Sequence, residues 1–266
     1  MAATSEWQAR VAAGIGAVTD VQPLGPDLRS VTADGRRLAV KTGPATGDEA
    51  AGLEDLSRVP GAPPVPAVVL AEDGLLVTAW VDTGPRTAAH EEGLGTGLAA
   101  LHDAPWPDWG GGSSWFGGCP VDPSVHPDAP SFYGARLTGL AGRCGLEHPV
   151  GRLVERLPDR LGGGTPVPAL VHGDCWWGNV LWGNDGRPWL IDPSAHGGLP
   201  EEDLAMLGLF GAVPDRTLRS YREVRDLPAG WDERTELLTL VPLLVHAVLF
   251  GGGYRARAEA VARRFR

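Results

Sequence analysis

Between Leu170 and Gly198 the chain reads LVHGDCWWGNVLWGNDGRPWLIDPSAHGG, and this stretch restricts the fold more than any other. Two short apolar runs, Val180–Trp182 and Trp189–Ile191, flank Gly183-Asn184-Asp185-Gly186. Asn and Asp beside Gly tolerate the backbone of a tight turn, so this spacing predicts a hairpin. Asp174 and Asn179 fall in the loop before the hairpin, five positions apart, and Asp192 follows its second strand, thirteen positions after Asn179. Folding the hairpin brings a loop acid, a loop amide and a post-strand acid together. Phosphoryl transfer needs such a set. One carboxylate takes the hydroxyl proton, while an amide and a second carboxylate hold Mg²⁺ on the nucleotide phosphates. The competing reading is a surface hairpin with ordinary polar loops, because short patterns recur by chance.

Composition narrows the alternatives. A chain of 266 residues, 43% of them hydrophobic, makes one large domain or two small ones with an ample core. A net charge of −10 without a basic run argues against a nucleic-acid partner, but not against ATP, which needs only a local positive site and Mg²⁺. Cys119, Cys144 and Cys175 are scattered and form no CxxC pair, which points to a reducing cytosol. The first residues, MAATSEWQARVAAG, contain no apolar core of a signal peptide. No run approaches the roughly 18 apolar residues of a membrane span. A cytoplasmic protein without membrane contact is therefore expected; the sequence does not set its oligomeric state, for which a monomer is the default.

In chain order, Glu6–Ala17 reads as a helix, and Val18–Leu24, Leu28–Thr32 and Arg37–Lys41 as strands, with a turn at Asp34-Gly35. Asp48–Arg58 is a helix with Asp48 as its cap and Glu49 in its first turn. The proline-rich linker Pro60–Pro66 leads to strands Ala67–Leu70 and Leu75–Val81. Asp82-Thr83-Gly84-Pro85 reads as a hinge, dividing the chain into lobes 1–82 and 83–266. Glu91–His102 is helical, and His102, with no visible partner, reads as a packed histidine. Residues 103–120 carry Trp106, Trp109, Trp115 and Phe116, which are either buried pins for an irregular loop or an aromatic wall. Further helices are expected at Ser131–Cys144, at Pro149–Leu161 (ended by Gly162–Gly164), and at Pro200–Phe210. Asp215–Val224, Asp232–Leu244 and His246–Arg266 follow as helical segments, broken by Pro228-Ala229-Gly230 and Gly251–Gly253.

HGDCWWGN stands where protein kinases carry H-R-D-x-x-x-x-N, and Ile191-Asp192-Pro193 stands where they carry D-F-G. The stretch thus resembles the catalytic segments of the protein-kinase-like fold, in the form used by small-molecule kinases such as aminoglycoside phosphotransferases and choline kinases. The resemblance implies an α+β, two-lobed protein-kinase-like fold, with a small antiparallel-sheet N-lobe and a mainly helical C-lobe. It implies Asp174 as catalytic base and Asn179 and Asp192 as Mg²⁺ ligands. Lys41 would grip the ATP phosphates and pair with Glu49, although Glu49 also suits a helix N-terminus on electrostatic grounds alone. The backbone of Ala79–Val81 would hold adenine, His172 would brace the loop, and Asp203 would bond the catalytic-loop backbone. With Gly173 in place of the Arg that reads a phosphorylated loop, constitutive activity is expected.

The runs LWGNDGRPWLIDPSAHGG, EEDLAMLGLFG, SYREVRDLPAGWDER and PLLVHAVLFGGGY, with EAAGLEDL after VKTG, are similar to the fructosamine kinase (ketosamine-3-kinase) family. That resemblance runs from about Val40 and is strongest over residues 170–254. It implies transfer from ATP to the 3-hydroxyl of a small-molecule or protein-bound ketosamine, a step in deglycation. Trp176 would then either stack on the acceptor or pack under the loop, and His196 would face the acceptor. Pro23-Leu24-Gly25-Pro26-Asp27 stands where the family carries a glycine-rich turn, and its prolines remove donors and restrict φ. Two rival functions remain: a kinase of another small molecule, such as an aminoglycoside or choline-like alcohol, and a nucleotide-binding module without activity.

Overall fold

The computed structural model describes residues 5–161 and 167–266; Gly162–Gly164, expected to end a helix, lie outside the described residues. Helix α1 (Glu6–Gly14) precedes strands β1 (Val18–Pro23), β2 (Leu28–Ala33) and β3 (Arg36–Thr42). Helix α2 (Thr46–Ser57) then leads into β4 (Val68–Glu72) and β5 (Leu75–Ala79). The five strands form one antiparallel sheet in the order β1-β2-β3-β5-β4. Alternation in β3 explains its two faces: Leu38 and Val40 are buried, with Val31, Leu75 and Val77 beside them, while Lys41 stands at its end. Helix α2 lies against the sheet through Ala50, Leu53 and Leu76.

Two boundaries here differ from the sequence reading. Helix α2 begins at Thr46, with Ala45 at the N-cap position, so Asp48 lies inside the first turn and is not the cap. The earlier start follows from Gly43, whose φ of +136° reverses the chain, and from Thr46 Oγ1, which donates to the Gly43 carbonyl at 2.9 Å. Strand β5 ends at Ala79, whose N–H donates to the Ala67 carbonyl at 2.9 Å.

Helix α3 (Ala88–His102) opens the second part, with Thr87 capping it by accepting the His90 N–H at 3.3 Å. Four two-residue strands follow: β6 (Trp109–Gly110), β7 (Trp115–Phe116), β8 (Cys119–Pro120) and β9 (Val125–His126). Next come α4 (Ala129–Cys144), α5 (Glu147–Val154) and α6 (Leu157–Leu161). The helix expected over Pro149–Leu161 is two helices, because Pro158 lacks the N–H a continuous helix would need and fits a new first turn. Strand β10 (Ala169–Val171) leads to the hairpin β11 (Val180–Trp182) and β12 (Pro188–Leu190), then β13 (His196–Gly198). The chain closes with α7 (Glu201–Leu209), α8 (Asp215–Val224), α9 (Trp231–Leu238), α10 (Leu240–Phe250) and α11 (Gly252–Arg264). His246 sits inside α10, because the apolar run from Leu240 continues past it until Gly251 ends the helix at φ +63°.

The fold is α+β, with the sheet in the first part and helices dominating the second. A core of α4, α5, α7, α10 and α11 side chains fills the far end. A second core, with Leu94, Leu98, Leu170, Val180, Leu190 and Tyr221, supports the hairpin. The hairpin meets the segment after β5 directly: Gly84 N–H donates to the Trp182 carbonyl at 2.8 Å and Asn184 N–H to the Asp82 carbonyl at 2.9 Å. No helix of the described residues is long and apolar enough to cross a membrane.

Candidate active site

The β11–β12 hairpin pairs Val180 with Leu190 and Trp182 with Pro188, so the residues flanking its open end converge. At that end Ile191 N–H donates to the Asn179 carbonyl at 3.0 Å, which sets Asp192 beside Asn179. Asn179 Nδ2 donates to the Asp174 carbonyl at 2.9 Å and to Asp174 Oδ2 at 3.2 Å. Asp192 is held at φ +55°, a left-handed conformation that costs a non-glycine residue on the order of 1 kcal/mol. Strain of that kind needs support, and here it turns the carboxylate toward Lys41 Nζ, 3.0 Å away. On its other side Lys41 meets Glu49 Oε2 at 2.6 Å. Strand β3, helix α2 and the hairpin thus each deliver one member of a three-charge cluster.

Two carboxylates facing one ammonium determine the electrostatics. Burial opposes the Lys41 charge, but Asp192 and Glu49 together hold its proton affinity above the usual lysine value. Burial and then the Asp192 charge push Glu49 up to about 7, against the pull of Lys41. Burial, followed by the charge of Asp192, raises Asp174 well above the usual carboxylate range. A carboxylate with raised proton affinity suits the acceptance of a hydroxyl proton.

The fit to a divalent cation can be judged from the donors. Among the described residues Asp192 Oδ2 and Asn179 Oδ1 make no hydrogen bond. A carboxylate and an amide oxygen, side by side and excess in negative charge, suit a hard cation such as Mg²⁺. The three buried groups His172, Cys175 and Asp203 also lie close together, but they are occupied otherwise.

Asp203, in the first turn of α7, holds the loop that carries Asp174. It accepts the N–H groups of His172 at 2.8 Å and Gly173 at 2.9 Å, and His102 Nε2 lies 3.1 Å away. His172 Nε2 in turn donates to the Ile191 carbonyl at 3.0 Å, joining the Asp174 loop to the Asp192 segment. Gly173 has φ +78°, and a Cβ there would lie 2.1 Å from the Ser194 carbonyl oxygen, so only glycine fits. His102, expected to be a packed histidine, is buried between Asp203 and Tyr221 Oη.

Burial alone would raise the Asp203 carboxyl, but the hydrogen bond and charge of His102 pull it below the ordinary value. Its contribution to stability is therefore complete above the unfolded carboxylate value of ~3.9 and is lost as pH falls through the lower folded value. Replacing Asp203 by Ala strands two buried N–H groups and should cost about 3–5 kcal/mol. Thermal melts of Asp203→Ala and Asp203→Asn from pH 7 to pH 3 should show a lowered transition and a flatter acid slope than the parent. A parent-like melt for both variants would show that the brace is dispensable.

A cavity of about 520 Å³ collects the cluster. It is lined by Lys41, Glu49, Asp174, Asn179 and Asp192, by the Gly43–Thr46 turn, and by Trp115, Gly117 and Gly118 of the β7–β8 hairpin. Trp176 lines it too and is 38% exposed, with Phe210 edge-on at 5.9 Å between ring centres. An apolar cavity of about 240 Å³ adjoins it, lined by Leu28, Ala39, Leu76, Ala79, Trp80, Val81, Leu181 and Ile191. Its shape and lining suit a flat heterocycle. The amide of Ala79 is taken by Ala67, so the backbone beside this cavity that stays unpaired among the described residues belongs to Trp80 and Val81.

Several expectations need revision. His196, expected at the acceptor, is fully buried in β13. Its Nδ1 donates to the Ser194 carbonyl at 2.7 Å, and Nε2 lies 3.1 Å from Arg136 Nη1 and 3.2 Å from Glu202 Oε1. The alternation of the short strand turns it inward, away from the cavity. The aromatic segment divides by residue: Trp109 and Phe116 are core, whereas Trp115 faces the cavity. Nothing in the sequence separated them, since a two-residue strand carries no readable period. The Pro23–Asp27 turn offers few donors, because the Leu24 and Gly25 amides both point to the Leu28 carbonyl, at 2.9 and 3.2 Å.

Cys175 is fully buried, and burial, with the charges of Asp203 and Asp174, raises its thiol well above the usual value. Under native conditions its alkylation should be slow, with no loss of activity while it stays unmodified. Rapid labelling with parallel inactivation would contradict this.

A two-part fold with a sheet lysine, a helix glutamate, and a loop acid and amide facing a post-strand acid defines the class of protein-kinase-like phosphotransferases. An ADP-bound aminoglycoside phosphotransferase shares that fold at a TM-score of 0.63, with 15% identity over 98% of this chain and 99% of the other. The particular family follows from closer matches. The fructosamine kinase family model matches residues 42–265, and the chain belongs to that family, which makes it an enzyme of the phosphotransferase type. A protein of Synechocystis sp. named a probable ketoamine kinase is 33% identical over 233 residues, covering 81% of this chain and 76% of that one. A crystal structure from Thermobifida fusca, described as a candidate fructosamine-3-kinase, superposes with a TM-score of 0.86 at 38% identity, covering 96% of each chain.

Proposed function

We propose that this protein is an ATP-dependent kinase that phosphorylates the 3-hydroxyl of ketosamines, small or attached to protein lysines, in deglycation. The observation that carries the reading is the single cavity shared by Lys41, Glu49, Asp174, Asn179 and Asp192, in a chain of the fructosamine kinase family. The ketoamine kinase name of the Synechocystis relative and the ADP in the aminoglycoside phosphotransferase support substrate class and donor respectively.

Adenine lies in the apolar cavity beside Ala79–Val81, with Trp80 and Val81 offering backbone groups. Lys41, fixed by Glu49, orients the phosphates. Asn179 and Asp192 would hold Mg²⁺, which supplies charge neutralisation on the transferring phosphoryl group. Asp174 orients the acceptor hydroxyl and takes its proton as the new P–O bond forms and the bond from the γ-phosphorus to the bridging oxygen breaks, releasing ADP. Trp115 and Trp176 cover the acceptor side and exclude water, which strengthens the charge interactions inside. Catalysis here is mainly positioning and charge stabilisation.

The test is turnover. With ATP and Mg²⁺, a fructosamine or ribulosamine should yield ADP and a 3-phosphorylated ketosamine that decays to release the free amine, followed by ³¹P NMR and amine detection. Turnover of an aminoglycoside or choline, with ketosamines untouched, would replace this reading by another small-molecule kinase.

A further inference from the structure

Asp48 does not line the cavity, yet it holds one of its walls. Its Oδ2 accepts the Ser114 N–H at 2.7 Å and also the Ser114 Oγ hydroxyl. Ser114 is the residue before Trp115, and its carbonyl accepts the Val121 N–H at 2.8 Å, so the β7–β8 hairpin hangs from this point. The other side of the segment is tied to the chain after Asp192. Ser113 N–H donates to the Ala195 carbonyl at 2.9 Å, and Ser194 Oγ donates to the Trp115 carbonyl at 2.7 Å. A Cβ on Gly112 would lie 2.1 Å from the Ala195 carbonyl oxygen, which shows how closely the two backbones approach.

Helix α2 is the second partner. Asp48 and Glu49 are consecutive, about 100° apart around the helix. One carboxylate reaches the hairpin and the next reaches Lys41. The same helix sits on the Asp192 segment, since a Cβ on Gly52 would lie 3.0 Å from Pro193 Cγ. A shift of this one turn would therefore move the lysine clamp and the Trp115 wall together.

We propose that Asp48 is a positioning residue that ties the acceptor wall to the phosphate-gripping side, so that filling either half of the cavity orders the other. The inference deepens the kinase reading and rests on it. A shared element with two arrangements gives reciprocal coupling, commonly about 5- to 150-fold in affinity. The two hydrogen bonds to one ionised oxygen are of the stronger, charge-assisted kind.

Two measurements test it. The first is the affinity for a non-hydrolysable ATP analogue with Mg²⁺, with and without fructosyl-lysine. In the parent the acceptor should tighten nucleotide binding about fivefold or more. In Asp48→Ala that gain should vanish and acceptor KM should rise, with affinity for the analogue alone nearly unchanged. The second needs no acceptor: amide exchange of residues 116–121 should slow on adding the Mg²⁺ analogue to the parent, but not to Asp48→Ala. Asp48→Asn keeps an oxygen for Ser114 and should restore much of that protection, which loss of stability alone would not do. Should Asp48→Ala fail to fold, Ser114→Ala, lacking only the Oγ donor, should show a partial loss. Nucleotide-induced protection that is absent in the parent, or intact in Asp48→Ala, overturns the proposal. If the parent ignores fructosyl-lysine while the exchange response still depends on Asp48, the acceptor assignment fails and the clamp stands.

Discussion

Asp174→Asn should slow phosphoryl transfer by about 10²- to 10⁴-fold, the usual worth of a positioned proton acceptor. The Mg²⁺-nucleotide affinity should stay close to that of the parent. The split follows from position. Asp174 lines the larger cavity and is absent from the apolar one beside Ala79–Val81. The substitution also preserves shape, and Asn can still sit beside Asn179 Nδ2, whose second bond goes to the Asp174 carbonyl. Fold and brace are therefore untouched, and the loss should appear in kcat with little change in KM for ATP. Turnover equal to that of an active parent would remove Asp174 from the reaction, whereas no turnover of any acceptor by either protein would favour a nucleotide-binding module without activity.

Asp192→Ala should abolish the Mg²⁺ dependence of nucleotide binding. Losing a partner one step removed from a metal typically costs roughly 10–100-fold in metal affinity, and loss of a direct ligand should exceed that. The substitution also removes one of the two acids beside Lys41. Lys41 then turns wholly to Glu49, so some Mg²⁺-independent affinity for the phosphates should persist. The left-handed φ of Asp192 adds a second consequence: Asp192→Gly should relieve strain and raise thermal stability slightly while still removing the ligand. Titration calorimetry with ATP, in Mg²⁺ and in EDTA, checks the first point. Unchanged Mg²⁺-dependent affinity in Asp192→Ala would make the metal assignment wrong.

Much of the site was legible because its members lie close in sequence or at strand and helix ends with readable patterns. The hairpin turn at Gly183–Gly186 brought Asp174, Asn179 and Asp192 into one frame, and the apolar alternation of β3 placed Lys41 at a strand end. Glu49 was legible as a first-turn acid, but its role came from resemblance and its partner from the fold. The same reading misassigned Asp48, because a helix-starting acid looks alike whether it caps the helix or reaches another segment 66 positions away. It placed His196 at the acceptor by resemblance, because Ala195-His196 stands where the family often carries an aromatic pair after Asp-Pro.

The sequence by itself determined the class of fold, the loop–hairpin frame that carries Asp174, Asn179 and Asp192, and the family to which the long C-terminal runs point. Those features are local, written in turn chemistry, strand alternation and contiguous motifs within a few residues of one another. Only the tertiary structure decided that Trp115 faces the cavity while Trp109 and Phe116 are core, and that His196 is buried beside Arg136 and Glu202. It also decided that Asp203 satisfies the backbone amides of His172 and Gly173, and that Asp48 bonds Ser114 before the β7–β8 hairpin. These outcomes depend on which distant segments pack together. A side chain's identity states what bonds it can make, but its partner is selected by burial and chain path, which no short stretch of sequence contains.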